Sequence, residues 1–166
     1  MRNLALFLLA LVSPIVLWAQ DHAERPKLQT VDCYKMAVST YIKDHPADVY
    51  KTKTGKVLLV KMAPFISDYQ DSLSKVKVVF VKADSAKNMV KWFPKNQKLT
   101  VIDLQQMLMR DLNAFVWMMP THGEFDSKKG VINNMEYGNL LCEYQFDYTP
   151  ERNSYYYFKS YNCKDQ

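Results

Sequence analysis

The chain has only four glycines and three histidines in 166 residues. It lacks most of what marks a common enzyme. Each glycine falls at an expected turn or loop, so no glycine-rich cradle for phosphate is available. Neither a Walker-type nor a dinucleotide-binding fingerprint is present. No nucleophile sits in the strand–turn–helix setting of a G-x-S-x-G elbow. His22 lies in a polar arm and His45 precedes a proline, so no histidine is marked as a partner for a serine or a cysteine. There is no N-x-Ser/Thr sequon, which favours a bacterial over a eukaryotic exported protein. Repeats, low-complexity tracts and internal linkers are also missing. Beyond residue 19, no apolar run approaches the ~20 residues that a spanning helix needs. No cofactor, no nucleic acid and no resident metal is implied, and no catalytic residue is assigned.

What is present begins with an address. Residues 1–19 carry Arg2 and then a nearly unbroken apolar run to Trp18. That is the layout of a secretory signal peptide cut near Ala19, which predicts a secreted or periplasmic protein. Residues 20–29 read as a flexible N-terminal arm, and residues 30–166 as a single α+β domain. The charge is uneven: 11 lysines against three aspartates lie between residues 51 and 98, while residues 101–166 have a net charge of −3. The basic middle is either an attraction for an anionic partner or the solvated face of ordinary strands.

Hydrophobic spacing predicts a helix over residues 30–43, with Val31, Tyr34, Val38, Tyr41 and Ile42 in one stripe beside Cys33 and Ala37. Residues 49–52 and 56–62 flank Lys53-Thr-Gly55 and read as a hairpin. Residues 75–82 form a strand apolar on both faces, hence central in a sheet. Residues 83–98 read as an irregular lysine-rich stretch. Residues 100–112 predict a second helix, because Val101, Leu104, Met107, Leu108 and Leu112 keep helical spacing. A short strand over 114–119, ended by Pro120, leads into a polar loop over 121–130. A strand follows at 131–137.

The end of the chain is the most legible part. Leu140, Cys142, Tyr144, Phe146 and Tyr148 alternate with more polar residues, and residues 154–163 are dense in aromatics, as pleated strands favour. A two-residue turn at Arg152-Asn153 places Cys142 opposite Cys163 on a non-hydrogen-bonded pair, about 4.5 Å apart at Cα, within disulfide range. The same register pairs Phe146 with Lys159 and Tyr148 with Tyr157. It leaves Tyr156 and Phe158 on the other face. Cys33 remains as a buried or intermolecular thiol.

Three groups of residues are candidates for function. Tyr156 and Phe158 would form an amphipathic aromatic platform if their face is open. Lys91, Trp92, Phe93 and Lys95 interleave cations with rings, either to touch an anionic glycan or surface or to pin a loop to the core. His122, Glu124 and Asp126 are weak metal candidates, with no recognised ligand spacing.

The expected architecture is α+β: a mainly antiparallel sheet, one or two helices on one face, and an aromatic C-terminal hairpin. A strongly curved sheet wrapped around a helix is the second possibility. The expected function is a non-catalytic binding module for a protein or glycan partner. The alternatives are a small envelope hydrolase using the His122–Glu124–Asp126 loop, or a carrier of an apolar ligand in a cavity lined by residues such as Val78, Phe80 and Met118.

Overall fold

The structure, a computed structural model, describes residues 27–61, 66–82, 86–150 and 155–165. The expected leader over residues 1–19 and most of the arm lie outside the described residues. Two helices occur among these residues: α1 (Thr30–Asp44) and α2 (Ala86–Trp92). A 3-10 turn, Pro46–Asp48, follows α1. Ten strands form one sheet: β1 (Tyr50–Thr52), β2 (Gly55–Lys61), β3 (Tyr69–Gln70), β4 (Lys77–Phe80), β5 (Gln97–Leu104), β6 (Leu108–Arg110), β7 (Asn113–Asp126), β8 (Val131–Tyr137), β9 (Leu140–Thr149) and β10 (Tyr155–Asp165).

The sheet is mixed, not mainly antiparallel. Its order is β10-β9-β7-β5-β2-β4-β3, with β1 on β2 and with β6 and β8 on β7. β2 pairs in parallel with both β4 and β5. Parallel neighbours need a crossover, and helices on both faces bury such strands completely. Val57, Leu58, Leu59 and Val60 of β2 are accordingly all buried. Leu58 and Val60 join α1 in one core cluster, which also takes in Ile102, Val116, Met118, Tyr144 and Phe146. Val57 and Leu59 join Met89 of α2 and Phe93 in a second cluster. The helices therefore lie on opposite faces, which corrects the expectation of one helical face.

The sheet curls around α1, as the second possibility had it. The core cluster that holds the buried face of α1 is flanked by residues from Tyr69 of β3 to Tyr156 and Phe158 of β10. Leu28, expected in the loose arm, is buried and exchanges two backbone hydrogen bonds of 2.9 Å with Tyr156. Val78, Phe80 and Met118 are buried against α1, which occupies the concave side.

The second expected helix is wrong. Residues 97–104 are β5 and residues 108–110 are β6, both antiparallel to β7. The β-branched run Thr100-Val101-Ile102 favours a strand. Leu99 and Val101 bury on the α2 face and Ile102 and Leu104 on the α1 face, so two apolar faces imitated one helical stripe. The helix lies instead within the lysine-rich stretch, as the crossover between β4 and β5. β7 does not stop at Pro120 but runs to Asp126. Pro120 sits where β7 exchanges β9 for β8.

α1 matches its expected stripe except for Val31, which is exposed. The C-terminal hairpin also forms. Cys142 pairs with Cys163 across it, with Cα atoms 4.0 Å apart, and the two are disulfide-bonded.

Candidate functional site

A concavity of about 690 Å³ lies beside the C-terminal half of α1. Its walls come from four places in the chain. α1 contributes Ser39, Ile42 and Lys43, and the following turn contributes Pro46, Ala47 and Val49. β1 and β2 contribute Lys51 and Lys56, and the turn before β4 contributes Leu73, Ser74 and Val76. Ile42 and Val76 are buried and form an aliphatic floor. Leu73 stands at the lip, 84% exposed.

Local structure fixes each wall. Asp44-His45-Pro46 ends α1, because the residue before a proline avoids the helical region. The hydroxyl of Tyr41 donates to the Asp48 carboxylate at 2.6 Å and ties the 3-10 turn to the helix. Gly55, at φ +124°, closes the β1–β2 hairpin, a conformation that glycine adopts readily. Leu73 is presented by a tight turn that Asp71 organises: its carboxylate accepts the Ser74 amide at 2.7 Å and the Ser74 hydroxyl at 2.5 Å.

The electrostatics are one-sided. Lys43, Lys51 and Lys56 rim the groove, and no carboxylate lines it among the described residues. Nearby acids are engaged elsewhere, Asp48 with Tyr41 and Asp71 with Ser74. Lys51 and Lys56 are direct cross-strand partners. Like charges directly opposite on adjacent strands destabilise a sheet, so this pair invites an anion.

Asp71 makes the lip sensitive to acid. Burial pushes its carboxyl up, but hydrogen bonds from Ser74, Ser39 and the Leu73 amide outweigh this and hold it below its ordinary value of 3.8. A carboxylate with a depressed folded pKa adds stability that is present above its unfolded pKa and is lost as pH falls through the folded one. Stability is therefore expected to fall below about pH 4, the ordinary aspartate range. Asp71→Asn should be less stable at pH 7 and should lose part of that acid slope. Urea unfolding at a series of pH values measures both; an unchanged slope in the variant would refute this role.

The sequence-derived candidates lie elsewhere. Tyr156 and Phe158 do not face away from the core. β10 has a bulge between Phe158 and Ser160, so Phe146 pairs with Phe158 and Tyr148 with Tyr156. The bulge accommodates Lys159 and corrects the expected pairing, while Tyr144–Tyr161 and Cys142–Cys163 keep theirs. The rings of Phe146 and Phe158 meet edge to face at 5.6 Å, and those of Tyr148 and Tyr156 lie 5.2 Å apart. Tyr156 and Phe158 are half-buried against the α1 cluster.

Phe93 is buried edge-on against Tyr50 and Phe125, at 5.2 and 6.0 Å. Trp92 is half-buried beside it with Lys77 over its ring, while Lys91 and Lys95 are exposed. These aromatics hold the crossover to the sheet. His122 and Glu124 stand exposed on β7, with His122 Nδ1 3.1 Å from the Thr100 hydroxyl. Asp126 accepts the amides of Lys128 and Lys129 in the next turn. The three do not line one depression together: His122 and Glu124 border one, and Glu124 and Asp126 border another with Asn96 and Gln97.

Cys33 is buried on α1. Burial, with the charge of Asp32 beside it, pushes its thiol up to about 12. A thiol so far from ionisation is no nucleophile at neutral pH.

Comparison with models of known protein families, with curated proteins and with solved structures gives no match.

Proposed function

We propose that the protein is an exported, non-catalytic binding module, and that the groove beside α1 receives an acidic, aliphatic-rich peptide segment of a partner protein. The facing lysines Lys51 and Lys56 carry this reading. They accept a cost in the free protein that a bound carboxylate removes. Ile42, Val49 and Val76 line one concavity with Leu73 at its lip, and such an apolar groove suits aliphatic side chains. Among the described residues, no aromatic ring lines the groove for a sugar to stack on, so a glycan is the poorer fit. Export rests on the N-terminal leader pattern and agrees with the disulfide, a bond typical of oxidising compartments. Among the described residues, no helix is long and apolar enough to cross a membrane.

Selection from a displayed library of random peptides should enrich sequences that combine Asp or Glu with Leu, Ile or Val. Binding of an enriched peptide should weaken about tenfold or more in the double variant Lys51→Glu/Lys56→Glu. It should also weaken in salt, which shortens the reach of surface charges to about 3 Å at 1 M. Lys51→Thr alone should raise the urea midpoint of the free protein while weakening binding. Enrichment of neutral or basic peptides, or affinity untouched by charge reversal, would remove this assignment.

A further inference from the structure

We infer that Cys142, Cys163 and His45 form a redox-gated zinc site, closed while the disulfide is intact and open when it is reduced. Apart from the groove, the fold brings three ligand-type side chains together from two distant places in the chain. The two sulfurs and a ring nitrogen of His45 all lie within 4.8 Å of one another. His45 Nε2 lies 3.7 Å from Cys142 Sγ. In a tetrahedral zinc centre, with Zn–S near 2.3 Å and Zn–N near 2.0–2.1 Å, the N···S edge is about 3.6 Å. One edge of the polyhedron is therefore already in place.

The histidine is held for the purpose. It caps α1, where its amide donates to the Tyr41 carbonyl at 2.8 Å. Its ring lies on that of Tyr41, with centroids 4.6 Å apart. Cys142 is buried on β9, whereas Cys163 is half-exposed near the end of β10 between exposed neighbours. A reductant can thus reach the bond from the β10 side.

The chemistry balances with an external dithiol as reductant. The dithiol supplies two electrons and two protons, is itself oxidised to a disulfide, and the Cys142–Cys163 bond opens to two thiols. Rotation of the Cys163 side chain then separates the sulfurs. Zinc takes both as thiolates with the neutral imidazole, and the two thiol protons pass to solvent. Two thiolates and one imidazole are a donor set that zinc favours, and three protein ligands leave its fourth position to solvent.

The test uses the purified protein in a Cys33→Ala background, so that no third thiol competes. After reduction with a dithiol and its removal under anaerobic conditions, the protein should bind one equivalent of zinc in competition with a chromophoric chelator. Cobalt(II) in its place should give thiolate-to-metal charge transfer and tetrahedral ligand-field bands. The oxidised protein should bind none. His45→Ala should weaken binding by more than about 100-fold, beyond the loss typical of an outer-shell partner, and should erase the tetrahedral bands. Far-UV circular dichroism and a thermal melt should show the reduced fold and a rise in its Tm with zinc. Equal zinc uptake in both redox states, parent-like affinity in His45→Ala, or metal bound to a reduced chain that zinc neither stabilises nor refolds would each overturn the proposal.

Discussion

Leu58→Ala and Leu59→Ala are each expected to destabilise the protein by about 2–5 kcal/mol, the cost of emptying a fully buried leucine site. The two are adjacent on β2 and so point to opposite faces of the sheet. Leu58 packs under α1 with Val60 and Val78, while Leu59 packs under α2 with Val79, Met89 and Val101. Both side chains are fully buried. On a sheet covered on one face only, one of these substitutions would be nearly silent. Urea unfolding of the two variants decides the matter. A change within about 0.5 kcal/mol for Leu59→Ala, the range of ordinary surface substitutions, would mean that α2 does not cover the second face.

The paired substitution Cys142→Ala/Cys163→Ala is expected to cost about 3 kcal/mol, the chain-entropy value for a loop of this size. The bridge spans 21 residues and fastens the outermost strand β10 to β9. β10 is an edge of the sheet, and beyond β9 it is held by the Leu28 bridge and by aromatic pairs along one face. Loss of the disulfide should therefore appear first as faster amide exchange in β10, ahead of β2 and β5. Differential scanning calorimetry and hydrogen exchange on the paired variant test both parts. Parent-like stability with unchanged exchange in β10 would show that the aromatic pairs alone secure that edge.

Much of this fold is legible in the sequence where one signal acts alone. α1 is legible because its apolar residues keep one helical face and Asp44-His45-Pro46 ends it. The cysteine pairing is legible because strand alternation and two aromatic runs set the register near it. It survives the bulge at Lys159 because the bulge offsets a connection longer than the two residues expected. What the bulge changes is the face of Tyr156 and Phe158, and with it their availability as a platform. A one-residue slip in a strand exchanges faces, and no residue near Lys159 announces it.

Competing signals hide the rest. β5 is buried on both faces, so its apolar residues lose the period of two and imitate a helix. Gly123 reads as a loop residue, yet it lies in β7 where β8 comes so close that a Cβ would fall 2.5 Å from Ile132 Cγ2. The groove was out of reach for a different reason. The facing of Lys51 and Lys56 needs a two-residue turn at Lys53-Thr54, whereas the expected three-residue turn over Lys53-Thr-Gly55 sets Lys51 against Val57. The meeting of this pair with Ile42 of α1 and Leu73 of a distant turn depends on the sheet curling around the helix.

The most direct test is an amide chemical-shift map of the ¹⁵N-labelled protein titrated with an acidic, aliphatic-rich peptide from the selection. The expected result is a contiguous set of shifts at residues 39–51, at Lys56 and across 71–76, absent in Lys51→Glu/Lys56→Glu. Shifts confined to β8 and β10, or spread equally over all the exposed lysines, would contradict the groove as the binding site.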